Sequence, residues 1–421
     1  MQLTPNSAPS AASETFLRPA KAALHVLTLT PFFPSLENEV GGCFVKEPLD
    51  SLAQLGVTSS VIAATPIHQG SRHASPAVDA KWVRYPQVPG TLGLSSAGQF
   101  LYARLSREVS RLHRERPVDV IHAHAALPCG HAALLIARQL GIPYVVTVHG
   151  LDVFNACFGA GSPAEWRRRA SITAYRGASN VICVSRKVQQ ILRESMGGNL
   201  RNDVLSTVVY NGTDPELFSP DPASGGQSSS QAPRDPQSEI LIVGNLIPSK
   251  GQELVLRAIH RIAGSFPQLC CQIIGEGPDR ARLEALARKL GILPRVNFRG
   301  RQSRRAVADA MRCCSLFVLP SRSEGLGCVY LEAMACAKPV IACRGQGIEE
   351  IVEHEKNGWL ITPDHLDELV QGLFTLLQSR EVALRIGLAA RQRVLDGLTL
   401  SHQAQQLAAI YRDANLRTAA A

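Results

Sequence analysis

The sequence predicts an α/β protein with two domains of alternating strands and helices. Short apolar runs alternate with amphipathic helical patterns in both halves of the chain, as parallel sheets with crossover helices require. Residues 219–238, rich in Pro, Gly, Ser and Gln, separate the halves and indicate a flexible connector. This arrangement argues against one continuous eight-stranded barrel, and a length of 421 residues is sufficient for two or three domains.

Strand and helix patterns can be placed along both halves. In the first half, apolar runs predict strands at residues 24–29, 57–63, 82–85, 118–122, 143–148, 180–184 and 207–210. Helical spacing predicts helices at residues 99–116 and 164–176. In the second half, strands are predicted at residues 239–243, 270–277, 295–300, 316–319, 340–343 and 359–361. Helices are predicted from residue 252, at residues 328–337, and in three final stretches, the last at residues 401–416.

The composition is ordinary for a soluble globular protein, with 45% hydrophobic and 19% charged residues. No apolar stretch is long enough to span a bilayer, and residues 1–20 read as a disordered leader rather than a signal peptide. The eleven cysteines form no C-x-x-C pair, which predicts a reducing cytoplasm. The formal charge of +9 fits an anionic nucleotide-sugar or an anionic membrane surface, since no nucleic-acid-binding signature accompanies it.

Residues 316–351 contain the most specific pattern in the chain. An apolar run at residues 316–319 ends in a glycine-bearing loop, and helical spacing begins at Cys328. Backbone N–H groups at the start of such a helix suit an anionic group such as phosphate. Glu324 and Glu332, with seven residues between them, bracket the loop and the first turns of the helix. Ionised carboxylates accept hydrogen bonds, so in this setting the pair favours ribose or hexose hydroxyl groups over a role as solvated surface charges.

Candidate ligand contacts in the first half follow predicted strands. Gly41 and Gly42 precede a helical pattern, where glycine lets the backbone approach a ligand closely. His149 comes directly after the strand at residues 143–148, where α/β sheets place ligand contacts. His122 and His124 lie on the same face of an extended chain, but no third ligand is evident nearby, so we do not expect a metal site.

Two basic segments also suggest anionic partners. Lys250 stands beside a glycine just before the helix that begins at residue 252, a position suited to a diphosphate. Trp166 is followed by Arg167, Arg168 and Arg169, which fan out around a helix as in a solvated basic surface. The alternative is that the tryptophan anchors this basic surface on anionic lipid.

The glutamate-bearing stretch resembles the donor-site signature of the retaining family 4 glycosyltransferases, which have the GT-B fold. The resemblance is carried by residues 323–327, residues 331–335 and Lys338-Pro339-Val340. Two departures are that Ala337 and Gln346 stand where the family usually has glycine. Residues 209–218 resemble the interdomain element of the same family, and residues 147–152 resemble its H-G-x-D element.

The resemblance implies roles for individual residues. Glu324 would meet the donor sugar and Glu332 the ribose, with His149 against the sugar. Lys250 would supply the cation for the diphosphate, because Asn245 stands where the family usually has an arginine. The implied catalytic residues are His149, Lys250 and Glu324, and the implied donor-binding residues are Gly41, Gly42, Asp152, Asn245, Gly275, Gly300, Gly325, Leu326, Gly327 and Glu332.

The resemblance implies two Rossmann-like domains facing a cleft, in the GT-B arrangement. The expected boundaries are a leader at 1–20, an acceptor-side domain at 21–218, a linker at 219–238, a donor-binding domain at 239–395, and a terminal helix at 396–421 that packs back on the first domain. The expected reaction moves a hexose from a nucleotide-diphosphate sugar to a hydroxyl with retained anomeric configuration. No cofactor beyond the co-substrate is expected, and no divalent ion.

Bacterial members of the family suggest exopolysaccharide or cell-wall glycan synthesis on a lipid-linked acceptor, in the cytoplasm and peripherally at the inner face of the membrane. A first alternative is a nucleotide-sugar epimerase on the same fold, which needs the donor pocket but no acceptor. A second is a non-catalytic nucleotide-binding scaffold, which the loss of the usual arginine at Asn245 motivates. A nucleic-acid-binding module ranks third, because the charge is its only support.

Overall fold

The computed structural model describes residues 23–35, 38–69, 80–90, 93–150, 162–195, 204–220 and 239–419. The predicted leader and most of the predicted linker lie outside the described residues. Within the described part, the chain forms two parallel sheets, one from each half of the sequence. The prediction of an α/β protein with two Rossmann-like domains is therefore confirmed.

The first sheet has seven strands in the described part of the chain, in the order β3-β2-β1-β4-β5-β6-β7. The strands are β1 (Leu24–Thr30), β2 (Val57–Pro66), β3 (Ala80–Tyr85), β4 (Val120–His124), β5 (Tyr144–Val148), β6 (Asn180–Cys183) and β7 (Ser206–Val208). Strand order reverses between β1 and β4, where Val26 pairs with Val120. Loops leaving these two strands diverge, which opens a crevice at their carboxyl ends.

The second sheet has six strands within the described ranges, in the order β10-β9-β8-β11-β12-β13. The strands are β8 (Glu239–Val243), β9 (Cys270–Ile274), β10 (Val296–Gly300), β11 (Leu316–Val318), β12 (Val340–Cys343) and β13 (Trp359–Ile361). The reversal of order falls between β8 and β11, where Leu316 pairs with Ile240. The loop from Leu319 to Gly327, which bears Glu324, leaves the sheet at this reversal.

Helices connect the strands in both domains. Those of the first half are α1 (Cys43–Lys46), α2 (Pro48–Gln54), α3 (Leu94–Glu115), α4 (His131–Leu140), α5 (Ser162–Arg176) and α6 (Arg186–Ser195). Those of the second half are α7 (Gln252–Ile262), α8 (Arg280–Lys289), α9 (Arg304–Cys313), α10 (Cys328–Ala335), α11 (Leu366–Gln378), α12 (Arg380–Leu395) and α13 (Leu400–Ala419). The apolar faces of these helices fill the cores on the sheets.

The last helix returns to the first domain. Ala404, Leu407 and Tyr411 of α13 pack into a core cluster with β1, β4 and β5, and α13 lies along α2. The chain enters this helix beside the interdomain segment, where the Thr213 N–H donates to the Leu398 carbonyl and the Leu400 N–H donates to the Thr213 carbonyl, both at 3.0 Å. The end of the chain therefore ties the two halves together.

Helix α10 ends two residues earlier than its pattern predicts. It ends at Ala335 because Ala337 has a left-handed conformation with φ 57°. A side chain at such a φ is strained by about 1–2 kcal/mol relative to glycine, the residue that the family usually has here. The backbone turn is thus preserved although Ala337 is not ideal for it.

Candidate active site

The carboxyl ends of the two sheets meet across a narrow interdomain cleft. The loop after β11 touches the first domain at Gly325, where an added Cβ would lie 2.3 Å from the carbonyl oxygen of His149. The hydroxyl of Ser185, which follows β6, donates to the Gly325 carbonyl at 2.6 Å. Glycine is required at this position because any side chain would collide with the opposite domain. The cleft therefore brings His149 and the Glu324 loop together.

A carboxylate of the second domain reinforces this contact. Glu350 accepts hydrogen bonds from the backbone N–H groups of Arg186 and Lys187, at 2.8 and 2.7 Å, and from the Tyr210 hydroxyl at 2.9 Å. The two amides belong to the start of α6, where unpaired N–H groups favour a negative charge. Glu350 thus caps a helix of the other domain and fixes the position of the cleft walls.

Three histidines form the first-domain wall of the cleft. Nδ1 of His124 is 2.9 Å from Nε2 of His149, and the two rings stack with an interplanar angle of 13°. His122 lies on the other side of His124, with ring centroids 4.2 Å apart. Burial lowers the pKa of His122 and of His149 to about 3, and lowers the pKa of His124 well below its usual range. All three rings are therefore neutral at neutral pH.

Aromatic side chains from the loop after β1 cover His149. Its ring centroid lies 4.6 Å from that of Phe44 and 5.9 Å from that of Phe32. Gly42 precedes α1 with φ 78°, and a Cβ there would lie 2.4 Å from the backbone of Phe32. Gly41 is less constrained, because its added Cβ would lie 2.4 Å from the end of the Asn38 side chain, which can move. The glycine pair thus lets this loop fold closely over the histidine wall.

An ion pair belongs to the second-domain side of the cleft, next to the Gly325 contact. The Lys250 ammonium contacts the Glu324 carboxylate, and the two side chains are 18% and 15% exposed. Lys250 ends a short turn before Gly251 and α7, whereas Glu324 belongs to the loop after β11. The two loops are joined by the Arg322 N–H, which donates to the Ser249 carbonyl at 2.7 Å. Folding thereby pairs two residues that lie far apart in sequence.

Gln346 supports the glutamate loop from the following strand. Its side-chain oxygen accepts from the Glu324 N–H at 3.0 Å, and the Gly347 N–H donates to the Glu324 carbonyl at 3.3 Å. The side chain that replaces a usual glycine in this family therefore satisfies a backbone donor of the site. Holding Glu324 requires no further replacement of a glycine by a residue with a side chain in this loop.

The second glutamate takes part in a separate ion cluster. Arg304 donates to Glu332 at 2.6 Å and lies 2.7 Å from Glu47 of the first domain. Glu332 is 2% exposed, and its Oε2 is buried without a hydrogen-bond partner. Burial raises the pKa of the Glu47 carboxyl, although Arg304 acts against this. One arginine thus serves two carboxylates, and one buried oxygen of Glu332 is left without a hydrogen-bond donor.

Glycines line the floor of the second-domain side. Gly275 has φ 145°, and an added Cβ there would lie 1.9 Å from the Gly244 carbonyl oxygen. Gly300 has φ 66°, and its added Cβ would lie 2.7 Å from Glu276. Asn245 has an exposed side chain, and its carbonyl accepts from the Gln252 side chain at 2.9 Å. The two glycines therefore leave the backbone uncovered on this side of the cleft. Asn245 supplies no cation there.

The start of α10 faces the same region. Gly327 precedes the helix with φ 84°, so the first amides of α10 are not blocked by a side chain at that position. The side chain of Leu326 is buried in the core, which leaves only its backbone to contact a ligand. Asp152 lies outside the described residues, so its predicted role has no structural counterpart here.

Several residues at the site were not singled out from the sequence. Arg304, Glu47 and Glu350 act across the domain boundary, and nothing in their local patterns marks them. His124 was noted only as half of a metal pair, although the pairing of β4 with β5 places it beside His149. Among the described residues, no group of three or more His, Cys, Asp or Glu side chains is arranged to hold a metal ion.

Comparison with known proteins agrees with this geometry. Two family models match, described as Glycosyltransferase Family 4 over residues 44–217 and Glycosyl transferases group 1 over residues 227–393. An uncharacterized glycosyltransferase of Methanocaldococcus jannaschii is 33% identical over 274 residues, which cover 64% of this chain and 68% of that protein.

A second relative has a stated donor and acceptor. The GDP-mannose-dependent alpha-(1-6)-phosphatidylinositol monomannoside mannosyltransferase of Mycolicibacterium smegmatis is 26% identical over 299 residues, covering 69% of this chain and 76% of that protein. Among solved structures, Anabaena HepE in complex with UDP-glucose has a TM-score of 0.66 and 21% identity, and the match covers 92% of this chain and 98% of HepE.

The family matches and the cleft agree on the reaction class. The matched regions include both cleft walls, with His149 in the first and the Lys250–Glu324 pair in the second. Structural neighbours bind UDP and UDP-sugar in a fold of the same kind. The chain therefore belongs to family 4 of the glycosyltransferases, the group 1 enzymes that use nucleotide sugars as donors.

Proposed function

We propose that the protein transfers a hexose from a nucleoside diphosphate sugar to a hydroxyl of a lipid-linked glycan, with retention of anomeric configuration. The observation that carries the proposal is the Lys250–Glu324 pair, whose loop meets the first domain at His149 through the neighbouring Gly325. A cation beside a helix start suits the diphosphate, and a carboxylate beside it suits sugar hydroxyls. Retention follows from the resemblance of the Glu324–Glu332 spacing to retaining enzymes.

The second domain would hold the leaving diphosphate. When the bond between the sugar and the diphosphate breaks, negative charge grows on the phosphate oxygens. Lys250 and the amides at the start of α10 can stabilise that charge without rearrangement. Glu332 would accept a ribose hydroxyl through Oε2, which has no hydrogen-bond partner, while Arg304 holds Oε1. We infer that catalysis is mainly electrostatic and requires no divalent ion.

The first domain would place the sugar and admit the acceptor. His149 is neutral and lies against the Phe44 and Phe32 rings, which suits a sugar ring better than a charged group. The Mycolicibacterium smegmatis relative, by its name, acts on phosphatidylinositol monomannoside, and this supports a lipid-bearing acceptor. We propose synthesis of an exopolysaccharide or cell-wall glycan at the cytoplasmic face of the membrane.

A basic face of the first domain supports membrane attachment. Helix α3 bears an exposed stripe at i, i+4, i+7, i+11 and i+14, made of Phe100, Arg104, Arg107, Arg111 and Arg114. Phe100 is 44% exposed, and α5, which packs on α3, presents Trp166 at 60% exposure. This arrangement of aromatic tips and arginines is complementary to an anionic lipid surface. No helix in the described ranges combines the length and apolar character of a membrane span.

The arginines after Trp166 contribute less to the proposed attraction for anionic lipid than their sequence indicates. Arg168 and Arg169 both pair with Glu165, each at 2.8 Å. The carboxylate offsets part of their charge, so the stripe on α3 supplies most of the attraction that we propose. The Trp166 segment extends that surface and adds an aromatic anchor.

Product analysis tests the reaction. The enzyme is incubated with a panel of UDP- and GDP-hexoses and with polyprenyl diphosphate-linked acceptors, and products are identified by mass spectrometry and by the anomeric couplings in NMR spectra. One acceptor-dependent glycoside with the donor's configuration is the expected result. An inverted product would contradict retention, and sugar conversion without acceptor would favour the epimerase alternative.

Vesicle flotation tests the membrane part separately. We expect binding to anionic vesicles that high salt weakens and that reversal of Arg104, Arg107 and Arg114 to glutamate abolishes, since each basic residue near such a surface contributes about 1 kcal/mol. The matched control reverses Arg288, Lys289 and Arg380, which are exposed on the second domain. Equal loss in both triple variants, or equal binding to neutral vesicles, would disprove a specific surface on α3.

A further inference from the structure

His149 is held by a second histidine from the neighbouring strand. The bond between His124 Nδ1 and His149 Nε2 is 2.9 Å long, and both side chains are largely enclosed. We propose that His124 is a positioning residue, which fixes the orientation of His149 and couples its tautomer to that of His124, so that only Nδ1 of His149 addresses the donor sugar. The proposal rests on the proposed function, in which His149 contacts the sugar.

A hydrogen bond between two neutral imidazoles contains one proton. Either His124 donates, and His149 then bears its own proton on Nδ1, or His149 donates from Nε2 and its Nδ1 is a bare acceptor. The two arrangements give the sugar a donor or an acceptor, never a mixture within one molecule. Without a partner at Nε2, the tautomer of His149 would no longer be coupled to that of His124, and the ring would no longer be held with Nε2 toward β4 and Nδ1 away from it.

The partner histidine is itself fixed from behind. His122 stacks on His124 and is hydrogen-bonded through Nε2 to the Thr147 hydroxyl at 2.6 Å. Its Nδ1 is hydrogen-bonded to the Tyr411 hydroxyl of α13 at 2.7 Å. The His124 ring therefore lies between two rings that cannot turn freely. The terminal helix, which returns from the second domain, supports the cleft histidine through this stack.

On the other side of its ring, the described residues that pack on His149 offer it no second hydrogen-bond partner. Phe44 and Phe32 are apolar at their rings and offer no hydrogen bond to the imidazole. Within the described residues, His124 is the side chain that is hydrogen-bonded to His149. Loss of that bond would leave Nε2 of His149 without a partner in a buried setting, and this penalty would favour another orientation of the ring.

The test compares two replacements of His124. His124→Phe keeps an aromatic ring but removes the hydrogen bond, whereas His124→Asn keeps a polar atom near the position of Nδ1. With the best nucleotide-sugar and saturating acceptor, we expect His124→Phe to lower kcat about tenfold with little change in donor KM, the size of one lost hydrogen bond. His124→Asn should recover most of that loss.

A double variant decides whether His124 acts through His149. If it does, His124→Phe should lower kcat no further in a His149→Ala background, whereas independent effects would multiply. His25→Phe is the control, because His25 is a buried first-domain histidine hydrogen-bonded to Pro117 and Ser60, away from the cleft. Multiplying losses, or equal losses for His124→Phe and His25→Phe, would overturn the proposal.

Nitrogen NMR gives a readout that does not depend on activity. In ¹⁵N-histidine-labelled protein, the His149 ring, assigned by its loss in His149→Asn, should be neutral with Nε2 in a hydrogen bond. In His124→Phe the Nε2 shift should move to that of a nitrogen without this bond, while His124→Asn restores the bonded shift. Unchanged His149 shifts in His124→Phe would overturn the inference. If no donor supports transfer, the proposed function fails, and these shifts still decide the role of His124.

Discussion

The two walls of the cleft are built on the same kind of sheet but with opposite chemistry. The first-domain wall is a stack of neutral rings, in which burial lowers the pKa of His122 and of His149 to about 3. The second-domain wall consists of charges that are paired before any ligand arrives, Lys250 with Glu324 and Arg304 with Glu332. The first-domain wall therefore carries no charge at neutral pH, whereas each charge of the second-domain wall is paired with an opposite charge.

This difference indicates how a charged donor can bind between two enclosed surfaces. Isolated charges are costly to remove from water, so a closed cleft favours pairing them or omitting them. A diphosphate can exchange places with Glu324 around Lys250, whereas a sugar ring needs only neutral hydrogen-bonding groups beside aromatic faces. Under the proposed function, the phosphates would therefore lie against the second domain and the sugar at the boundary between the walls.

Removing the cation of the charged wall should have the largest effect. Lys250→Ala leaves Glu324 without its partner and next to the diphosphate, so both lost attraction and new repulsion oppose the reaction. We expect kcat/KM for the donor to fall by roughly 10²–10³-fold. Steady-state kinetics on the purified variant measure this, with Lys356→Ala, an exposed lysine paired with Glu353, as the control.

The complementary change adds a cation to the same wall at Asn245, where the family usually has an arginine. Asn245→Arg supplies a planar cation suited to phosphate oxygens. It should be tolerated in wild type and should reduce the loss caused by Lys250→Ala. If Lys250→Ala leaves transfer unchanged while Asn245→Arg abolishes it, the assignment of this loop to the diphosphate is wrong.

The two glutamates of the charged wall should separate nucleotide from sugar. Glu332→Ala should raise the dissociation constant of the free nucleoside diphosphate, because it removes the acceptor proposed for the ribose. Glu324→Ala should chiefly lower the rate with the complete donor. Each loss is expected to be ~1.5–3 kcal/mol. Calorimetry with UDP and GDP measures the first effect, and identical binding to both variants and wild type would refute the ribose contact.

The neutral wall should make the protein sensitive to acid. The pKa of an unfolded histidine is near 6.5, whereas that of folded His122 and His149 is about 3. Between these values the unfolded state binds more protons, so stability is present above pH 6.5 and is lost as pH falls. Each group contributes up to about 1.4 kcal/mol per pH unit. Urea unfolding at pH 7.5, 6.0 and 5.0 measures the slope, which His122→Phe should reduce.

Other buried histidines set the control for this measurement. Burial also lowers the pKa of His25, which is outside the cleft. His25→Phe should reduce the slope without altering catalysis, whereas replacement of a cleft histidine should alter both. A free energy of unfolding that is constant from pH 7.5 to 5.0 would contradict the neutral state of the histidine wall.

The smallest expected effect concerns the support of the glutamate loop. Gln346→Ala leaves the Glu324 N–H without its side-chain acceptor, which predicts a loss of ~0.5–1.5 kcal/mol. Gln346→Gly, the residue usual in the family, should behave similarly unless water replaces the amide oxygen. Thermal unfolding and donor KM measure the change, and a Gln346→Ala variant equal to wild type in both would show that the bond to Glu324 contributes nothing.

The sequence by itself was sufficient for the fold class and the location of the loops. Apolar runs of strand length and glycines at strand ends are local properties, so the strands at Glu239–Val243, Val340–Cys343 and Trp359–Ile361 were predicted with their observed bounds. The spacing of Glu324 and Glu332 and the glycines around them are likewise read along the chain. They pointed to the family because its donor loop is contiguous in sequence.

Only the tertiary structure decided which charges and rings meet. Arg304 joins Glu332 to Glu47 because two domains close on each other, and His124 reaches His149 because β4 pairs with β5 in one register. Such contacts join residues that are 25 to 257 positions apart, and no periodicity of a single helix or strand encodes them. The chemistry of each loop is local, but its partner is set by sheet order and domain closure.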